Sequence, residues 1–200
     1  QLVSEVLWDF TEEEDFNFDN PGLVLVRSRD EVSAVQLGCH EILGSIRTDF
    51  YHKKLLSARV YPEKGPKQTK LLCYLLDTQT ACVLDLNSKM NVCLIEHDAM
   101  ITGLQLDPTG RKLLFKDSNN EVHLFETKGK TKVGLARNAQ FWGWVPESDV
   151  ILCHTGETLK VWYSSDHLEN WTSHSAKGRM VRVVSGRDEK TKAVLLDGNI

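Results

Sequence analysis

Short apolar runs of about five residues, rich in β-branched and aromatic side chains, recur along the whole chain. They are separated by Gly, Pro, Asn, Asp and Ser, and this pattern is typical of antiparallel β-strands. No segment shows a convincing amphipathic helix. The pattern predicts strands at Leu23–Arg27, Val32–Leu37, Leu55–Val60, Leu71–Leu76, Cys82–Leu86, Val92–Glu96, Ile101–Leu106, Lys112–Phe115, Val122–Glu126, Gln140–Val145, Val150–Cys153, Leu159–Tyr163, Met180–Val184 and Ala193–Leu196.

The predicted strands recur with a period. Ile101–Pro108 aligns with Ala139–Pro146, and the strands that follow keep the same offset, with one deletion in a turn. The template also fits from Leu56 onward, with an insertion around Glu63–Lys70. A period of about 40 residues with four short strands per repeat is typical of WD-type β-propeller blades. One such sheet cannot bury both faces alone, so blades stack and share their apolar layers.

We therefore predict an all-β fold, a WD40-type β-propeller of about four and a half blades of four-stranded antiparallel sheet. The approximate blades are residues 1–50, 51–97, 98–138, 139–178 and an incomplete 179–200. Trp8–Thr11 is assigned to a first strand, Glu12–Asn20 to a long turn, and Glu63–Lys70 to a protruding loop. Because an open propeller exposes apolar faces and strand edges, we expect this segment not to form a closed, independently stable propeller.

Composition and charge narrow the functional classes. The net charge of -4 and the pI near 6.0 give no electrostatic reason to expect a nucleic acid or an anionic membrane as the main partner. The five cysteines are odd in number and show no C-x-x-C spacing, which favours reduced thiols. No run approaches the roughly 20 apolar residues of a membrane-spanning helix.

Two groups of residues carry candidate chemistry. His97-Asp98 precedes a predicted first strand, where an imidazole in a WD repeat joins a buried hydrogen-bond network with a turn aspartate, here Asp117. A catalytic role would require a nucleophile, and no G-x-S-x-G motif is present. Cys73, Cys82 and Cys93 lie on neighbouring predicted strands and, with His97, suggest a metal site. Strand alternation would place these thiols on both faces of the sheet, which favours buried packing.

Other motifs also have two interpretations. Phe141–Trp144 resembles a stacking platform, but its tryptophans share the register of Leu104 and Leu106 and are expected to face the core.

The basic turn Lys128–Lys132 and the acidic run Glu12–Asp15 are expected to be solvated turns. The glycosylation sequon Asn170–Thr172 matters only in a secreted protein. We predict no catalytic, cofactor-binding or metal-binding residues and no cofactor.

Two stretches carry a more specific likeness. The first joins Glu41–Thr48, the strand Leu71–Leu76 and Asp77–Leu86, and the second joins Gly110–Asp117, Trp144–Val150 and Val161–Tyr163. Together they resemble the second amino-terminal propeller of the intraflagellar transport protein 172 family. The likeness is densest from Leu55 to Tyr163.

This resemblance implies a function. Members of the family carry two tandem propellers and a long helical-repeat arm, and have no recognised catalytic residues. We therefore expect a non-enzymatic protein-interaction scaffold of the intraflagellar transport machinery, required for cilium assembly and maintenance. Its expected partners are other subunits of transport complex B and cargo or motor adaptors, with no nucleic acid, no transmembrane segment and no membrane contact indicated. The expected location is the cilium or flagellum, including axoneme and basal body, and the cytoplasm.

Two rival functions stay open. A coatomer-like vesicle-coat subunit shares the plan of a propeller followed by a solenoid. A propeller enzyme would act in the central channel and would need charged residues on the innermost strands, whereas the strands here are mostly apolar.

Overall fold

The computed structural model describes residues 14–18, 23–28, 31–36, 41–47, 56–62, 68–146, 148–185 and 191–196. These residues form eighteen β-strands and no helix. The chain divides into two compact units, residues 1–111 and 112–200. Within the described ranges no helix is long and apolar enough to cross a membrane.

The first unit contains nine strands. They are β1 (Glu14–Phe18), β2 (Leu23–Ser28), β3 (Glu31–Gln36), β4 (Glu41–Arg47), β5 (Leu56–Pro62), β6 (Gln68–Leu75), β7 (Thr80–Asp85), β8 (Met90–Glu96) and β9 (Ile101–Leu106). β1 to β4 form one four-stranded sheet and β5 to β8 form another, each in sequence order.

The second unit contains the other nine strands. They are β10 (Lys112–Asp117), β11 (Val122–Glu126), β12 (Thr131–Ala136), β13 (Phe141–Trp144), β14 (Ile151–His154), β15 (Thr158–Trp162), β16 (Trp171–Ser175), β17 (Arg179–Ser185) and β18 (Thr191–Leu196). β13 to β16 form a four-stranded sheet and β17 pairs with β18. The remaining sheet has the order β12-β11-β10-β9.

Every sheet is a meander in which consecutive strands are hydrogen-bonded neighbours. Four described residues other than glycine have a left-handed backbone: Lys89, Asn120 and Lys130 in hairpin turns, and Asn138 in the connection between β12 and β13. Lys89 and Lys130 end the turns between the third and fourth strands of two successive sheets, with φ of 58° and 52°. The sequence repeat is thus also a repeat of turn geometry.

Several middle strands of the sheets are buried on both faces. Residues 81–84 of β7 are consecutively buried, as are residues 112–115 of β10 and 122–125 of β11. The fourth strands differ, because β12 and β16 are mostly exposed. Consecutive buried residues place apolar groups on both faces of a strand, so these sheets must be covered from both sides.

Packing between sheets occurs within each unit. In the first unit β9 packs against β5 and β6, and the backbone N–H of Leu106 donates to the fully buried Ser57 Oγ at 3.0 Å. In the second unit one apolar cluster combines side chains of the third sheet with side chains of the fourth: Leu114, Val122, Leu124, Ala136, Ala139, Ile151, Cys153 and Trp162. The shared apolar layers predicted from the repeat are therefore present.

Several sequence predictions are corrected. Glu12–Asn20 is not one long turn, because Glu14–Phe18 is β1 and pairs with β2. Its Phe16 and Phe18 recur at the two-residue period of a strand, although the run is dominated by acids. The predicted loop Glu63–Lys70 is also too long, since Gln68–Lys70 belongs to β6 and pairs with β5. Residues 63–67 and Trp8–Thr11 lie outside the described residues.

The strand pattern missed three further elements. β4, β12 and β16 were not among the predicted strands. The two whose burial is described, β12 and β16, are mostly exposed on both faces, so their sequences carry little of the alternation that marks a half-buried strand. We propose that each sheet is one blade, with the bounds given from the sequence.

The buried layers generate a stability prediction. Replacing Leu114 by alanine removes a fully buried side chain from the apolar cluster of the second unit, and we expect a loss of about 2–5 kcal/mol in the free energy of unfolding. The matched change Leu94→Ala, at a leucine that is 48% exposed, should cost about 0.5 kcal/mol or less. Urea titration followed by tryptophan fluorescence measures both. Equal losses would contradict the described core.

Candidate functional site

The predicted His97-Asp98 pair lies directly after β8 in the first unit. The backbone N–H of His97 donates to the Gln79 carbonyl at 3.0 Å, and the Asp98 carbonyl accepts a 2.6 Å bond from Gln79 Nε2. Ile101 N–H donates to the Thr78 carbonyl at 2.8 Å. These bonds fix the segment that leads into β9 against the turn between β6 and β7. The observed backbone role of His97-Asp98 is therefore structural.

Asp117, the predicted turn aspartate, lies in the second unit and closes the hairpin between β10 and β11. Its buried carboxylate accepts bonds of 2.9 Å from the N–H groups of Asn119 and Glu121. It also accepts a 3.3 Å bond from Nε2 of His123, a buried residue of β11 whose ring stacks on Phe115 at 5.0 Å. The sequence analysis did not single out His123. Its position directly opposite Phe115 in the register is the signal that could have identified it.

The cysteines behave as buried, apolar groups. Cys73, Cys82, Cys93 and Cys153 are buried thiols, as expected. Cys73 and Cys93 are both paired with Val83, whereas Cys82 is paired with Tyr74 and Leu94, so Cys82 faces the opposite side of the sheet. Burial raises the pKa of the Cys82 thiol.

Tyr74 and Cys82 form a small buried pair on this second face. Burial, followed by the charge and hydrogen bond of Cys82, raises the pKa of Tyr74 to about 12. Cys82 Sγ lies 3.3 Å from Asn91 Oδ1, an acceptor that a protonated thiol satisfies. A thiol held protonated is a poor nucleophile and a poor metal ligand.

The aromatic run Phe141–Trp144 forms β13. Trp142 and Trp144 are half-buried and pack against the apolar cluster of the second unit, while Phe141 packs against a second cluster around Leu152. The tryptophans thus contact the core as expected, although they are not fully buried. The run covers two apolar layers rather than forming an open stacking platform.

A buried lysine links the third and fourth sheets in the second unit. Lys112 Nζ donates to Ser165 Oγ at 2.8 Å and to Asp166 Oδ1 at 2.6 Å, with only 10% of its side chain exposed. Ser165 and Asp166 belong to the connection between β15 and β16. Sequence reasoning treated Lys112 as the start of a strand and missed this contact, because the partners lie more than fifty residues away.

Two contacts of aromatic side chains involve the exposed outer strand β16. On β15 and β16, Trp171 is 47% exposed, stacks on the buried Trp162 with ring centroids 6.3 Å apart, and lies 5.5 Å from Lys160 Nζ. Tyr163 Oη shares a 2.9 Å hydrogen bond with Thr172 Oγ1. The basic segment differs from the predicted turn, because Thr131 and Lys132 belong to β12.

The sheets define the class of protein, an all-β propeller of the WD type. The fold is similar to that of Hsv2p from Kluyveromyces lactis, with a TM-score of 0.65, 11% identity and coverage of 92% of this chain and 57% of that one. It is also similar to the β-propeller domain of Cps50 (Swd1) from Myceliophteria thermophila, with a TM-score of 0.61, 12% identity and coverage of 94% and 64%. The predicted fold class is confirmed.

The sequence is similar to a segment of intraflagellar transport protein 172. Its homologue in Drosophila melanogaster is 37% identical over 184 residues, 92% of this chain and 10% of that protein. The Chlamydomonas reinhardtii protein is 33% identical over 199 residues, and the Homo sapiens homologue 29%; both matches cover 98% of this chain and 11% of the relative. The predicted resemblance is confirmed, and the chain spans about a tenth of the length of these relatives. No protein-family profile matches the chain.

The Asp117 turn generates the next prediction. Asp117→Ala leaves two backbone N–H groups and the His123 ring without their acceptor, and we expect a loss of about 1–3 kcal/mol in the free energy of unfolding. Asp77→Ala removes a comparable turn contact, to the N–H groups of Gln79 and Thr80, from an exposed site and should cost less. Thermal unfolding of both variants tests the order, and a more damaging Asp77→Ala would contradict it.

Thiol reactivity tests the buried cysteines. Burial raises the pKa of Cys153 from 9.0 to about 12, so this thiol stays protonated at pH 8 and should not react with an alkylating reagent until the protein unfolds. The stability that this shift contributes is complete below pH 9 and is lost as the pH rises toward 12. Mass spectrometry after iodoacetamide treatment, with and without urea, measures the modification. Rapid labelling of Cys153 in the folded protein at pH 8 would contradict this account.

Proposed function

We propose that this chain is a non-catalytic protein-interaction scaffold of the intraflagellar transport machinery, required for cilium assembly and maintenance. The observation that carries the proposal is the sequence identity of 29–37%, over 92–98% of the chain, to proteins named intraflagellar transport protein 172 or its homologues. We propose that the chain corresponds to the second amino-terminal propeller of that protein. The proposed partners are other complex B subunits and cargo or motor adaptors.

The buried polar groups support a role without catalysis. His154 is fully buried: its Nε2 donates to the Ala176 carbonyl at 2.8 Å, and its Nδ1 accepts a 3.2 Å bond from the Gly156 N–H. Both nitrogens are thus used by the backbone and one neutral tautomer is fixed. Asp117 and Lys112 are similarly engaged by structural partners. We therefore propose that the chain holds no catalytic, cofactor-binding or metal-binding residues.

The exposed outer strands support a role in binding. β12 and β16 lie at the edges of their sheets and are mostly exposed, so they offer both backbone groups and side chains to another protein. The surface is built from polar and charged residues interleaved with single apolar ones, such as Val133 and Trp171. Such a mixed surface suits the reversible contacts of a scaffold.

The proposed location is the cilium or flagellum, with axoneme and basal body, and the cytoplasm. A full-length protein lacking residues 1–200 of this chain, expressed in ciliated cells without the endogenous copy, should fail to restore cilia, whereas the intact protein should restore them. Leu94→Ala, which preserves the core, serves as a matched control and should restore cilia. Immunoprecipitation of complex B subunits measures the scaffold role in the same cells.

The outcomes separate the rival functions. Normal cilia and undisturbed complex B in the absence of this segment would contradict the proposal. Defective secretory traffic with normal cilia would favour the coatomer-like function.

A further inference from the structure

One face of β11 borders two clefts in the second unit. Val122, Leu124 and Glu126 alternate along this strand, so their side chains lie on the same face of the third sheet. Leu124 and Glu126 line a first cleft of about 280 Å³, and Val122 lines a second cleft of about 400 Å³. The opposite walls belong to the fourth sheet, where Glu169 lines the first cleft and Lys160 lines the second. The two clefts follow one another along β11 and are together named the β11 groove.

The first cleft is negatively charged. Three carboxylates line it, those of Glu126, Asp166 and Glu169, and the one cation among its described lining residues is Lys112. Lys112 Nζ lies 2.6 Å from Asp166 Oδ1, so these two charges offset each other. Glu169 Oε1 lies 3.2 Å from Nδ1 of His167, and its charge is offset only where that imidazole is protonated. Even then Glu126 leaves the cleft with a negative charge, which suits a basic side chain.

The second cleft has the opposite charge. Arg137 and Lys160 line it together with one carboxylate, that of Glu121. Glu121 Oε1 lies 2.9 Å from Arg137 Nε, which leaves Lys160 as the cation in excess. Lys160 Nζ lies 5.5 Å from the ring of Trp171, which is on the same face of the fourth sheet. This cation–π contact holds the ammonium group beside the cleft, where it suits an acidic side chain.

Apolar side chains lie between the two charged ends of the groove. Leu124 is midway between Val122 and Glu126 on the strand, and it is opposite Val133 in the register of β11 and β12. Leu124 is buried, whereas Val133 is 44% exposed and lines the first cleft. Covering an exposed valine with an apolar side chain of a partner removes apolar surface from water and is favourable.

The dimensions of the groove favour an extended occupant. From Val122 to Glu126 the strand rises by about 14 Å, which is also the span from position i to position i+4 of another extended chain. In such a chain the side chains at i, i+2 and i+4 share one face, as those of Val122, Leu124 and Glu126 do. A helix is too wide, because its diameter with side chains is about 10–12 Å, whereas stacked sheets lie about 10 Å apart and fill part of that space themselves.

We propose that the β11 groove binds an extended segment of a partner protein whose acidic, apolar and basic side chains occupy positions i, i+2 and i+4, in either chain direction. The acidic side chain lies beside Lys160, and the apolar one lies against Val133. The basic side chain lies beside Glu126 and Glu169. The inference rests on the proposed scaffold function and names the chemistry of one partner.

The test uses the full-length protein that contains this chain and a fluorescein-labelled peptide with glutamate, leucine and lysine at alternate positions and serine between them. Fluorescence anisotropy should show binding that weakens with added salt, because the contacts are between charges near the surface. Two control peptides carry glutamate at both charged positions or lysine at both. Each should bind about ten-fold more weakly or worse, since each brings a like charge to one of the clefts.

A charge reversal in the protein separates binding from folding. Lys160→Glu should weaken binding of the glutamate–lysine peptide by about ten-fold or more, because a carboxylate then meets a carboxylate. The same variant should bind the peptide with two lysines more tightly than the unmodified protein does, since both clefts are then negative. A variant that was only destabilised would not gain affinity for any peptide. Lys128→Glu is the matched control, because this exposed lysine of the turn between β11 and β12 is not among the residues that line either cleft, and it should leave the binding of each peptide unchanged.

Several outcomes would overturn the inference. Equal binding of the three peptides, no gain of the two-lysine peptide in Lys160→Glu, or an equal effect of Lys128→Glu would each show that the groove is not the binding site. If the protein binds no peptide but sediments as a dimer that Lys160→Glu dissociates, the groove binds a second copy of this chain and the proposal is wrong. If no peptide binds while the intact protein restores cilia and complex B assembly, the proposed function stands and this inference fails.

Discussion

The packing of the sheets depends on one constraint, which is that several of their middle strands are buried on both faces. In β7, β10 and β11 successive residues are buried, so both faces of these strands must be covered by other parts of the protein. A single four-stranded sheet has nothing to cover its second face. Stacking of sheets is therefore the condition for any of them to fold, and the repeat in the sequence supplies the neighbours.

The same constraint decides where buried polar groups lie. Ser57, Lys112 and Asp117 are all buried, and each has a hydrogen-bonding partner that satisfies it. Ser57 and Lys112 act between neighbouring sheets within a unit, and Asp117 closes a turn at the end of a sheet. A polar residue left unpaired in these positions would cost more than an apolar one. These buried polar groups are thus used to position strands and turns.

Sequence patterns predicted the inner parts of the sheets better than their margins. The runs around Leu113 and Val122 were found because burial on both faces leaves a continuous apolar signal. β12 and β16 were missed because exposed strands need no such signal, and β1 was missed because its acids resemble a turn. The pairing of His123 with Asp117 and of Lys112 with Asp166 depends on register and on distant loops, which no local pattern contains.

The meander topology has a consequence for folding kinetics. Within each described sheet, every ladder joins strands that are adjacent in the chain, so hairpins can close quickly with little loss of loop entropy. The bonds that join one sheet to the next span far more chain, 49 residues between Ser57 and Leu106 and 54 between Lys112 and Asp166. Individual sheets therefore collapse early but stay exposed until a neighbour docks. During synthesis on the ribosome, each sheet is made after the sheet that precedes it in the chain. A new sheet can therefore pack its apolar face against the preceding sheet as soon as it forms, which shortens the time for which that face is exposed to water.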